Sequence, residues 1–138
     1  MWWLYALLSA GFAALTALLA KSGVRGIDSH VATAVRTTVV LVLAWGLVAL
    51  QGNLSLVTSL SRTSLGMLIF SGAATGVSWL FYFRALQLGP VSLVSAVDKL
   101  SLAFVLLFAV LIFKEPLSLR ATAGCSLILL GTALVVWP

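Results

Sequence analysis

Five apolar segments, each long enough to cross a bilayer, decide what this chain can become. They run from Trp2 to Ala20, Val31 to Leu50, Leu65 to Leu88, Val91 to Phe113 and Leu119 to Trp137. About 20 apolar residues carry a helix through hydrocarbon. Lipid offers backbone groups no hydrogen-bond partner, so each segment must be helical. Composition agrees: 62% of the residues are hydrophobic and 8% charged, where a soluble domain carries about 25% charged residues. The sequence therefore predicts an all-α integral membrane protein, multi-pass, with five transmembrane helices and the lipid bilayer as its solvent. No linker or low-complexity run divides residues 1–138, which read as a single transmembrane domain. The stretch Met1 to Ala20 has no basic residues ahead of it and Lys21 behind it, so it reads as a retained helix rather than a signal peptide.

The same composition narrows function. One cysteine, Cys125, and one histidine, His30, leave no ligand set for a zinc site and no Ser-His-Asp triad, so no metal and no cofactor is expected. With so few catalytic groups an enzyme is not expected either. The net charge of +5 is spread singly, without the clustered basic stripe that nucleic-acid binding requires. Those charges read as membrane-flanking residues.

Connections are short. Lys21 to His30 joins the first two helices and Gln51 to Ser64 the next two. Gly89-Pro90 separates the third from the fourth, since proline cannot continue a helix interior. Lys114-Glu115-Pro116-Leu117 precedes the fifth, with Ser118 as its N-cap. An odd number of crossings puts the termini on opposite faces. The N-terminal face then carries Arg62, Lys114 and Arg120, and the other face Lys21, Arg25 and Arg84. This balance gives no orientation by positive-inside bias, and insertion in both orientations is the more informative reading. Two antiparallel copies would form an inverted repeat, the symmetry on which many secondary transporters are built.

Asp98 and Lys99 interrupt the fourth apolar segment, and charges at such depth are costly and usually functional. Counting 1.5 Å per residue puts Arg36, Tyr82, Asp98 and Lys99 about 8–12 Å from the same face, with Trp79 about one turn deeper. Helical spacing groups Ser71, Thr75, Ser78 and Tyr82 on one face of the third helix, and Ser92, Ser95, Asp98 and Ser101 on one face of the fourth. Thr33, Arg36 and Thr37 share a face of the second, and Ser9, Ala13, Thr16 and Ala20 of the first. Asp98, Lys99, Arg36, Tyr82, Trp79 and Ser95 are the candidates for substrate binding or coupling. Each has a plainer reading. Asp98 can pair with Lys99 or Arg36 only to lock helices. Arg84 can snorkel to the interface. The Ser and Thr hydroxyls can bond back to carbonyls. Gly72 and Gly76, like Gly124 and Gly131, suit close local packing.

The run Gly76-Val-Ser-Trp79-Leu-Phe-Tyr82-Phe-Arg84-Ala-Leu86-Gln-Leu-Gly89-Pro90 resembles the EamA-type transporters of the drug/metabolite transporter superfamily. So do Val97-Asp98-Lys99-Leu100-Ser101, Phe113-Lys-Glu115-Pro116-Leu117, Ala32-Thr-Ala-Val-Arg36-Thr37 and Lys21-Ser-Gly-Val-Arg-Gly-Ile-Asp28. Members of that family are usually ten-helix proteins built of two inverted units, and this chain is similar to one unit. The resemblance implies a secondary transporter, an exporter of small metabolites or amino-acid-like solutes. It would work by alternating access as an antiparallel homodimer, or paired with a second small homologue, in a bacterial or archaeal inner membrane. It also implies a site in the central cavity, on Arg36, Tyr82, Asp98 and Lys99. The related small multidrug resistance proteins use a glutamate in helix one; Trp2 to Ala20 has no acid, so that exchange does not carry over. The competing expectation is a non-transporting assembly or packing subunit whose charged layer is structural.

Overall fold

The computed structural model describes residues 1–116 and 118–137. Its helices are α1 (Trp2–Gly23), α2 (Ser29–Leu50), α3 (Arg62–Leu88), α4 (Val91–Asp98), α5 (Ser101–Phe113) and α6 (Leu119–Val136), with a 3-10 helix at Asn53–Ser59. Among the described residues five stretches are long and apolar enough to span a membrane, α4 and α5 together forming the fourth. The expected all-α, five-span membrane architecture is what the chain adopts.

The helices run past the apolar segments where a cap is available. Asp28 ends the first connection: its carboxylate accepts from the amides of His30 (2.8 Å) and Val31 (3.2 Å), so α2 starts at Ser29 rather than Val31. The Ser61 hydroxyl accepts from the Ser64 amide at 3.0 Å, which carries α3 back to Arg62. The Ser118 hydroxyl accepts from the Ala121 amide at 3.1 Å, as the sequence leads one to expect. The segment from Gln51 to Ser64 is more than a connection. Gly52 turns it at φ 71, and the 3-10 helix follows. Thr58 and Ser59 hydroxyls then bond carbonyls three residues back, the spacing of a 3-10 turn. After α5, Lys114 takes a left-handed φ of 52, and the Glu115 amide reaches back to the Ala109 carbonyl at 3.2 Å. That six-residue closure ends a helix, and Pro116 prevents its renewal. Leu117, the last residue expected in this connection, lies outside the described residues.

The chain divides into two compact units, residues 1–88 and 89–138. In the first, α3 packs against both α1 and α2. Ala17, Val24, Ser29, Thr33, Phe83 and Leu86 are its buried residues. All lie where α1 stops, α2 starts and α3 ends. Elsewhere these helices present large apolar side chains outward, among them Phe12, Val42 and Phe70. In water that surface would be prohibitive; in hydrocarbon it is solvated, so contact between helices is chosen by shape and hydrogen bonds. In the second unit α6 packs on α4 and α5, with Cys125 and Thr132 buried.

Candidate functional site

Two polar groupings lie within apolar spans, one in each unit. In the first, α2 carries Arg36 about 10 Å from its start, counting 1.5 Å per residue from Ser29. The neighbouring hydroxyls are spent locally: Thr33 bonds the Ser29 carbonyl and Thr37 the Thr33 carbonyl, each at 2.8 Å. Thr75 on α3 does the same with Ser71 at 2.9 Å. These three hydroxyls donate to their own helices, which leaves only their lone pairs for any other group. Arg36 does not. Its guanidinium carbon stands 4.3 Å from the ring centroid of Trp79 and 5.2 Å from that of Phe83. Both distances fall within the roughly 6 Å over which a cation is drawn to a ring face. Trp79 and Phe83 are four residues apart and so share a face of α3, a spacing that could have singled out Phe83. Tyr82, one position earlier, sets its ring edge-on to Phe83 at 6.2 Å and lies within electrostatic reach of Arg36.

The second grouping contains Asp98 and Lys99. They form an ion pair at 3.7 Å, with 48% of the aspartate and 62% of the lysine side chain exposed. The expected pairing of Asp98 with its neighbour is present, but it is an open pair, not a buried lock. The helix also breaks there. The Lys99 and Leu100 amides bond the Ala96 and Val97 carbonyls, and Leu102 and Ala103 bond Lys99 and Leu100. These are three-residue steps where an α-helix takes four. The expected span from Val91 to Phe113 is present, with a short 3-10 step at Lys99 and Leu100 dividing it into α4 and α5. Their sequence has neither glycine nor proline at the break, so no residue signal announces it. Just before the break the Thr132 hydroxyl of α6 donates to the Ala96 carbonyl at 3.4 Å. Ser95, half-buried one turn before Asp98, is also engaged in an interaction.

A third grouping was not legible in the sequence. The Lys21 ammonium donates to the Leu86 carbonyl, and the Gln87 amide donates to the carbonyls of Ile27 (2.7 Å) and Val24 (3.4 Å). The Arg84 guanidinium donates to Gln87 at 3.1 Å instead of only reaching for the interface. This network ties the α1–α2 connection to the last turn of α3. The glycines expected to allow close packing do not: a Cβ on Gly72, Gly76, Gly124 or Gly131 would meet nothing within 4 Å. Among the described residues no three His, Cys, Asp or Glu side chains come together as a metal site.

Comparison with known proteins bears on this arrangement. The family model described as EamA-like transporter family matches residues 1–137. A protein of Sinorhizobium sp, described as an uncharacterized transporter in the cobO 3' region, is 44% identical over 134 residues. That alignment covers 97% of this chain and 95% of the relative. No solved structure matches.

Proposed function

The chain belongs to the EamA-like transporter family, and from that premise we propose that it is one half of a secondary transporter, completed by an antiparallel second copy or a small homologue. It is a multi-pass membrane protein of transporter type. The proposed cargo is a small metabolite or amino-acid-like solute, moved outward across a bacterial or archaeal cell membrane by alternating access. We assign it no catalysis.

One observation carries this reading. The most apolar span carries an exposed ion pair at the point where its hydrogen bonds tighten to three-residue steps. Ionised side chains at membrane depth almost always face a partner or a water-filled cavity. Charges so placed mark the substrate and ion pathways of membrane transporters. A second copy or a hydrated pathway would supply the missing cover. Within the proposal, Lys99 and Arg36 attract an anionic group such as a carboxylate. Trp79, Tyr82 and Ser95 shape recognition, and Asp98 carries a coupling proton or holds Lys99.

The test has two parts. Cross-linking in native membranes, with accessibility labels at both termini, should give antiparallel pairs. Parallel pairs or monomers alone refute the dimer. In proteoliposomes loaded with candidate amino acids, Asp98→Asn should lose gradient-driven movement and keep exchange. Unchanged driven movement refutes the coupling role of Asp98.

A further inference from the structure

The network joining α1, α2 and α3 encloses space as well as binding the loop. An open pocket of 420 Å³ lies there, lined by Lys21, Arg25, Gly26, Ile27, Leu86 and Gln87 among others. We propose that it binds a phosphate group at the membrane surface, carried by an anionic phospholipid headgroup or by a soluble phosphate ester. The inference is independent of the transport reading.

Charge is the first argument. Residues 1–88 hold Lys21, Arg25, Arg36, Arg62 and Arg84 against one acid, Asp28. That carboxylate is occupied in capping α2. Lys21 and Arg25 line the pocket, and Arg84 is held to it through Gln87. Among the described residues the Arg25 guanidinium has no bonding partner. A fork of five donors without an acceptor suits a phosphate, and Lys21 adds a compact positive charge.

Local backbone is the second argument. Helix C-termini repel anions, and α1 and α3 both end here. Three carbonyls in this region, from Leu86, Val24 and Ile27, accept from Lys21 and Gln87 donors, which offsets part of that repulsion. The two charged side chains that line the pocket, Lys21 and Arg25, are both positive. Gly26, at φ 73, makes the turn that seats Arg25 beside Lys21 without a side chain of its own.

Position is the third. The pocket begins where the apolar segments of α1 and α3 end, at Lys21 and Leu88, the level of lipid phosphates. Basic pockets between helices at this level recognise anionic headgroups.

The full chain in mild detergent can be titrated with phosphatidylglycerol or phosphatidylcholine and bound lipid counted by native mass spectrometry. Glycerol phosphate is titrated in a parallel series. Preference for phosphatidylglycerol of about tenfold supports a lipid source, and saturable binding of glycerol phosphate supports a soluble one. Either should fall to twofold or less in Arg25→Gln and persist in Arg62→Gln, which removes the same charge elsewhere. Arg25 is exposed and bonds nothing, so its replacement should leave the helical circular dichroism unchanged. Equal binding of both lipids with no glycerol phosphate bound, or an undiminished preference in Arg25→Gln, overturns the proposal.

Discussion

Removing the ring under Arg36 should expose how this chain keeps a cation in an apolar span. Two faces hold the guanidinium, Trp79 at 4.3 Å and Phe83 at 5.2 Å. Cation–π contacts contribute about 0.5–1 kcal/mol when exposed and about 2 kcal/mol when desolvated. Arg36 is of intermediate exposure, so the Arg36–Trp79 coupling should fall near 1–2 kcal/mol. At 1.4 kcal/mol per decade that is roughly a 5- to 30-fold change in the unfolding constant. Single variants would mislead, because deleting a half-buried charge also removes its desolvation cost. The measurement is therefore a double-mutant cycle on Arg36→Gln and Trp79→Leu, followed by circular dichroism during reversible unfolding in mixed micelles. Trp79→Phe should retain part of the coupling, since a weaker face remains. A coupling below about 0.5 kcal/mol, the additivity expected of sites out of contact, would refute the stacking argument.

Three further outcomes follow from the same geometry. Where water reaches the Asp98–Lys99 pair, as the proposed pathway requires, Lys99→Gln should change the unfolding free energy of the isolated chain by less than about 1 kcal/mol; a loss of 3 kcal/mol or more by the same unfolding assay would make the pair a structural lock. Gly26→Ala should destabilise by about 1–2 kcal/mol, the cost of a left-handed conformation for an L side chain. Gly72→Ala, which meets no atom within 4 Å, should stabilise the isolated chain by up to about 1 kcal/mol through helix propensity, so equal effects on the thermal midpoint would contradict this assignment. Gln87→Leu removes two donors from the Val24 and Ile27 carbonyls and should cost about 1 kcal/mol for each bond lost, with faster amide exchange confined to residues 24–28.

Sequence and structure differ in detail for distinct physical reasons. Apolarity reports where lipid lies, whereas capping reports where a helix ends, so Asp28 and Ser61 extended α2 and α3 beyond their apolar runs. Serine and threonine at helical spacing fit both a polar lining and back-bonding, and only the structure shows that Thr33, Thr37 and Thr75 donate to their own backbone. Glycine pairs suggested close contact, yet none of the four is approached. The depth of Arg36 was legible, because helical rise is constant. Its partners were not, since choosing Trp79 and Phe83 requires knowing how α3 is rotated about its axis.

Sequence alone determined that this is a five-span membrane protein, because hydrocarbon leaves the backbone no alternative to the helix. It also located every charge within those spans. Only the tertiary structure decided what each charge does. Lys21 and Gln87 meet carbonyls 60 or more residues away, and backbone acceptors are the same at every residue, so no pattern marks them. The break at Lys99 is likewise a choice between three- and four-residue hydrogen bonds. That choice is settled by the local backbone, where neither glycine nor proline stands to announce it.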